Sequence, residues 1–119
     1  MKQYTDLDVW IKAKELAKDV YQHSKNFPAT EQWGITHQIR KAAVSIPSNI
    51  AEGCGRNSPK DTLQFLYIAR GSAYELETQI YLSADFEYIN EKQQGQLLQN
   101  VEELKKLLNG FINYYKTLK

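Results

Sequence analysis

A chain of 119 residues has the length of one ordinary domain and can bury a real core. Fifteen Lys and Arg against fourteen Asp and Glu leave a net charge of +1. No strong global field therefore draws the chain to nucleic acid or an anionic membrane, and any such binding needs a local patch. The single cysteine, Cys54, excludes an internal disulfide and a cysteine-based metal cluster, and fits a reducing, cytoplasmic setting.

Charge is slightly uneven. Residues 1–60 carry nine basic and six acidic side chains, net +3, and residues 61–119 carry six and eight, net −2. The opening MKQYTDLDVW has no apolar signal core, and the longest charge-free apolar-leaning run, 42–51, is far short of the ~20 residues of a spanning helix. A soluble, unprocessed protein with no membrane partner is expected.

Helical periodicity appears four times, and strand alternation nowhere persuasively. In the first segment Val9, Trp10, Ala13, Leu16, Ala17, Val20 and Tyr21 recur at three and four residues, with Thr5 and Asp8 offering a capping box. A helix from about residue 6 to about residue 25 follows. Asn26-Phe27-Pro28 ends it, because proline disfavours the α conformation in the residue before it.

The second segment places Ile35, Ile39, Ala42, Ala43, Ile46 and Ile50 on one stripe that keeps its phase through Pro47. The expectation is one helix, kinked rather than divided. Pro47 withdraws the hydrogen bond to the Ala43 carbonyl, and Ser45 and Ser48 offer hydroxyls to the freed groups. Gly53 and Gly55 predict a left-handed stop.

The third segment opens on Ser58-Pro59-Lys60-Asp61, in which Ser58 can cap, Pro59 suits the first helical position and Asp61 can close a capping box. Its core stripe is Leu66, Ala69, Ala73, Leu76 and Ile80, with Phe65, Ile68 and Ser72 alongside. Gly71 sits in mid-helix at a penalty of about 1 kcal/mol, which predicts close approach of another backbone.

In the fourth segment, capped by Asn90, the run Leu97, Val101, Leu104, Leu108, Phe111, Tyr115 and Leu118 alternates steps of four and three, a coiled-coil-like seam. Leu98, Leu107 and Ile112 lie off it. Four amphipathic helices on short connections predict a single all-α domain, an antiparallel up-down-up-down four-helix bundle. Surplus apolar residues, with two Trp, eight Tyr and four Phe, point to a further buried face between copies of the chain; the alternative is that the tyrosines lie along the bundle surface with their hydroxyls in water.

Catalytic chemistry finds little support. His23 and His37 are 14 residues apart and neither has a second donor at ligand spacing, so no metal site is expected. The glycines around Cys54 follow no strand and precede no GK[ST], which disfavours a phosphate loop and any cofactor built on one. Cys54 has no histidine near it in sequence, and Glu75 and Glu77 point about 200° apart on a helix. No Arg is followed four to six residues later by His, which removes the HEPN type of all-helical ribonuclease. No small-molecule substrate is evident, and an enzyme is not expected.

What remains is polar. Ser45, Ser48, Asn49 and Glu52 share one face of the second helix, with Arg56 at its exit. They can serve structure, with Asn49 and Glu52 bonding to the turn or to Arg70 and Tyr74, or they can bind a ligand. Arg40, Lys41, Arg56 and Lys60 are the basic residues expected to cluster around the turn between the second and third helices, and form the candidate nucleic-acid-binding set.

The run Gln38 to Gly53, QIRKAAVSIPSNIAEG, followed by Gly55-Arg56, by FLYIARGS from Phe65 and by Glu75-Leu76-Glu77, resembles the four-helix bundle family of large-subunit ribosomal RNA intervening-sequence proteins. Asp6 to Trp10, Phe27-Pro28 and Glu31 share the likeness. It departs at Lys41, where a second Arg is commoner, and at Ser83-Ala84-Asp85-Phe86. The resemblance implies a non-enzymatic bacterial-type protein. A related branch, the accessory proteins of diversity-generating retroelements, forms five-membered barrels and binds nucleic acid and a reverse transcriptase, which implies a pentamer with a basic surface here. Two functions stay open: a homo-oligomeric scaffold or adaptor that binds RNA or a protein partner, and a structural oligomer independent of nucleic acid.

Overall fold

The computed structural model describes residues 3–118, which form four α-helices and no strand. These are α1 (Asp8–Ser24), α2 (Ile35–Cys54), α3 (Pro59–Asp85) and α4 (Glu91–Lys116), with single 3-10 turns at Tyr4–Asp6 and Ala29–Glu31. Packing is cyclic: α1 lies against α2 and α4, and α3 lies against the same two, while the diagonal pairs do not meet. The 27 residues of α3 span about 40 Å at 1.5 Å each, most of the 47 Å long axis.

Paired contacts show the direction of each neighbour. Ser45 of α2 meets Ser72 of α3, and eight residues on the Gly53 carbonyl accepts from Thr62 Oγ1 at 2.8 Å, ten residues back. Between α3 and α4 the pairs are Arg70 with Asn109 and Glu77 with Lys105. In both interfaces one number rises as the other falls.

The apolar stripes bury as their spacing requires. Val9, Ala13, Leu16 and Val20 of α1, Ile39, Ala42, Ala43, Ile46 and Ile50 of α2, and Leu66, Ala69, Ala73, Leu76 and Ile80 of α3 form one core with Leu97, Val101, Leu104 and Leu108 of α4. Helix α2 runs unbroken through Pro47. On α4 the last buried position is Ile112, with Phe111 and Tyr115 half-buried and Leu118 exposed. A straight helix drifts about 20° per heptad from a strict seven-residue repeat, which carries Ile112 into the place the seam assigned to Phe111.

The helix ends depart from expectation in part. Ser58 caps α3 by accepting from Asp61 N at 3.2 Å, with Pro59 at the first position, but no return bond from Asp61 closes a box. Asn90 and Gln93 make a complete box at α4, both bonds 2.8 Å. Thr5 and Asp8 form no box, because the chain before α1 turns in a 3-10 loop with Asp6 Oδ2 accepting from Gln3 N, and Leu7 precedes the helix. Gly53 and Gly55 are not left-handed: Gly55 has φ −87°, and its N–H goes to the Glu52 carbonyl at 3.1 Å in a tightened last turn. Gly53 is needed for closeness instead, since a Cβ there would stand 3.2 Å from both Phe65 Cβ and the Thr62 carbonyl.

Candidate functional site

The polar face of α2 is committed to structure. The Ser45 and Ser72 hydroxyls meet at 2.8 Å, and Asn49 Nδ2 donates to the Ser45 carbonyl at 2.8 Å and hydroxyl at 2.9 Å. Small polar residues thus join α2 to α3 where larger ones would hold them apart. Neither Asn49 nor Glu52 reaches Arg70 or Tyr74. Arg70 turns to α4, with Nη1 donating to Asn109 Oδ1 at 3.3 Å and its guanidinium 5.1 Å over Tyr67. Glu52 pairs with Arg56 at 3.3 Å on the surface, an exposed i,i+4 pair, and Ser48 is exposed. These groups do not converge on a ligand.

The four basic residues divide into two pairs. Arg40 and Arg56 are 16 residues apart on and just beyond one continuous helix, about 24 Å at 1.5 Å per residue. Arg56 and Lys60 flank the α2–α3 turn, and the Arg56 guanidinium lies 4.4 Å over Phe65. Arg40 and Lys41 belong to the opposite end, beside the close of α1. There the Arg40 guanidinium sits 4.6 Å over the Tyr21 ring and its Nε donates to Ser24 Oγ at 2.8 Å.

That end holds a groove of about 460 Å3, lined among others by Tyr21, Trp33, Thr36, His37, Arg40 and Lys41. Trp33 is 80% exposed, the extreme among the large hydrophobic residues, and its ring centre is 6.2 Å from that of His37. Sequence periodicity misses Trp33 and Tyr21: the first lies in the connection before α2, and the second reads as an extension of the α1 stripe but stands outside it. The available signal was a Trp in the polar stretch Glu31-Gln32-Trp33-Gly34, where no stripe required one.

Burial pushes the half-buried Cys54 thiol up, away from the thiolate a nucleophile needs. His23 lies beside Asp19, Asn100 and Glu103, with Lys12 bridging Asn100 at 3.0 Å and Glu103 at 3.5 Å. Among the described residues no three His, Cys, Asp or Glu gather as metal ligands, and no helix is long and apolar enough to cross a membrane.

A last surface lies on α3, where Ile68, Tyr74 and Tyr81 are each about half exposed, at 51%, 52% and 51%. Tyr67 and Leu82 are exposed beside them. Ile68 therefore lies outside the core stripe it adjoins in sequence. Gly71 stands in the middle of this stripe with no atom within 4 Å of where its Cβ would be, so no backbone of the same chain approaches it.

No curated protein matches the chain. Among solved structures, a protein of unknown function from the S23 ribosomal protein family of Bacteroides thetaiotaomicron is similar, with 30% identity and a TM-score of 0.80 over 87% of this chain and 97% of that one. The model of the 23S rRNA-intervening sequence proteins matches residues 5–110. With nearly its whole length matched, the chain belongs to the 23S rRNA-intervening sequence protein family.

Proposed function

We propose that the chain is a non-enzymatic, self-associating helical-bundle scaffold, a pentamer as the family resemblance implies, that binds RNA through basic surface repeated around the assembly. The observation that carries the reading is the outer face of α3. Tyr67, Tyr74 and Tyr81 recur at seven residues, as do Ile68 and Leu82 across two heptads, all exposed in the single chain. A seven-residue apolar repeat is the pattern of a helix facing another helix, and α3 has already met α2 and α4 on its other sides. Gly71 in that face is a cost without return in the isolated chain, and a place for close approach in an assembly.

RNA binding is supported by Arg40, Lys41, Arg56 and Lys60, each placed at an end of the bundle, where copies around an assembly would multiply weak contacts. The family's name ties it to ribosomal RNA, and the family is not known as one of enzymes. Cys54 as the lone thiol suits a cytoplasmic protein. The second reading, an oligomer independent of nucleic acid, is favoured by the Glu52–Arg56 pair, which partly neutralises the turn.

Light scattering at tens of micromolar should give a multiple of the 13.8 kDa chain mass. Joint Ile68→Glu and Leu82→Glu substitution should give a monomer of unchanged helicity. A parent that is monomeric there overturns the scaffold. RNA retention should fall with salt and weaken when Arg40, Arg56 and Lys60 are changed together to Ala. An assembled parent that binds no RNA at low salt leaves the nucleic-acid-independent oligomer.

A further inference from the structure

Independent features meet in the groove at the start of α2. Trp33 presents a flat indole to solvent, with His37 one turn further on. Arg40 is held over Tyr21 and anchored through Nε on Ser24, which fixes the plane of its guanidinium and leaves both terminal nitrogens without an acceptor among the described residues. Lys41 is exposed, with no carboxylate in ion-pair reach among those residues. Thr36 lines the groove, is itself about nine-tenths buried, and keeps Oγ1 with no hydrogen-bond partner. No Asp or Glu contributes to the lining.

We propose that this groove is a binding site for single-stranded RNA, in which a base stacks on Trp33 and the adjoining phosphate is taken by Arg40 and Lys41. It rests on the RNA-binding reading above and assigns that binding to one end of the bundle rather than to the α2–α3 turn. An exposed aromatic plane beside fixed cations is the arrangement by which single strands are held: every base offers a π-face, and a guanidinium fork suits phosphate oxygens. An acidic peptide would satisfy the cations but leave the indole plane without a partner. A duplex would offer phosphates but keep its base faces stacked internally. The groove volume of about 460 Å3 lies within the ~300–1,000 Å3 range of small-ligand sites, room for one or two nucleotide units.

The test uses the full chain in its assembled state, with a single-stranded uridine oligomer of about twelve nucleotides, a length within the site sizes of single-strand binders. Trp10→Phe leaves Trp33 as the sole tryptophan, so that its emission reports the groove directly. Binding should quench that emission. Trp33→Ala should weaken binding roughly ten- to hundredfold, the range for losing one stacked base. Lys41→Ala should keep the quench at saturation while lowering the slope of log affinity on log salt by about 0.7, one single-strand phosphate contact. A Trp33→Ala protein that binds as the parent does, or an emission that ignores bound RNA, overturns the site while RNA binding itself stands. Equal affinity for the same oligomer in a duplex also overturns it. Loss of the assembled mass in Trp33→Ala makes the groove a contact between copies, and a parent that binds no RNA at low salt removes the broader reading with it.

Discussion

Tyr88 donates its hydroxyl proton to Glu31 Oε2 at 2.7 Å across 57 residues of sequence, and so ties the α3–α4 connection to the α1–α2 connection. The other oxygen of Glu31 accepts from Ile35 N at 3.4 Å, at the first turn of α2. Gly34 lies so near that oxygen that a Cβ there would collide with it. Around the pair, the Phe27 ring stands 5.4 Å from that of Tyr88. One carboxylate thus joins a helix start to two connections at the same end of the bundle. Tyr88→Phe should lower the urea midpoint of unfolding, and in a cycle with Glu31→Ala the two changes should cost less together than the sum of each alone. Strict additivity would mean that the bond carries no stability.

Alkaline pH should loosen the fold through four groups shifted in one direction, the first being the Cys54 thiol, which burial raises above 9.0. The bond to Glu31, then burial, raises the Tyr88 phenol above 10.0. Burial, then the neighbouring Cys54 and Tyr114, raises Tyr115 above the same value. Burial pulls Lys105 down, but its bond to Glu77 at 3.0 Å and the charges of Glu77 and Glu102 outweigh it and leave the group above 10.5. A raised folded pKa means that folding favours the protonated form. The stability is fully present below these ordinary values and is lost as pH rises through the higher folded ones. Urea unfolding from about pH 8 to about pH 11 should therefore show a midpoint that is level below about pH 9 and falls progressively above it. A fall that begins near neutrality contradicts the assignment.

At the end of α3 the backbone turns left-handed at a residue that is not glycine. Glu87 has φ 65°, its N–H bonds the Ala84 carbonyl at 3.0 Å, and the Tyr88 N–H bonds the Ser83 carbonyl at 2.9 Å. That is the paired closure in which glycine is usual, and a side chain there costs about 1–2 kcal/mol. Glu87→Gly should raise stability by about 0.5–1 kcal/mol after the added freedom of the unfolded glycine is counted. A thermal midpoint lowered by the change would contradict the strain.

What the sequence made legible follows from what periodicity encodes. The stripes of α2 and α3 are each made of residues three and four apart that reach the core, so Ile46 and Ile50 could be placed even across Pro47. Ser58 and Asn90 were readable because each caps through its own side chain. The left-handed turn at Glu87 carries no such mark, since its conformation is imposed by the Schellman bonds around it and not by its own side chain. The basic residues read as one cluster only by nearness in the chain, whereas the continuous second helix that the apolar stripe itself predicts sets Arg40 about four turns from Arg56. Trp33 was invisible for the opposite reason: it belongs to no helix, and its meaning comes from Tyr21 and Arg40, which only the packing of α1 on α2 brings beside it.

Gly53 and Gly71 are both glycines inside helices, yet they should respond to alanine in opposite ways. At Gly53 the new Cβ would meet Phe65 Cβ and the Thr62 carbonyl at 3.2 Å each, and the Gly53 carbonyl is held by Thr62 Oγ1, so α2 would have to move off α3. Gly53→Ala should destabilise by about 1–3 kcal/mol, the usual cost of overfilling a packed contact. At Gly71 nothing stands within 4 Å, so in a chain kept monomeric by Ile68→Glu and Leu82→Glu, alanine should stabilise by about 0.5–1 kcal/mol through helix propensity alone. In the assembled parent the same methyl would enter the face that carries Tyr67, Tyr74 and Tyr81. If another copy approaches there, Gly71→Ala should shift the mass measured by light scattering toward the single chain even as that chain becomes more stable. The two readouts must part company for the α3 face to be the site of self-association; if Gly71→Ala stabilises both backgrounds equally and leaves the mass unchanged, the contact between copies lies elsewhere.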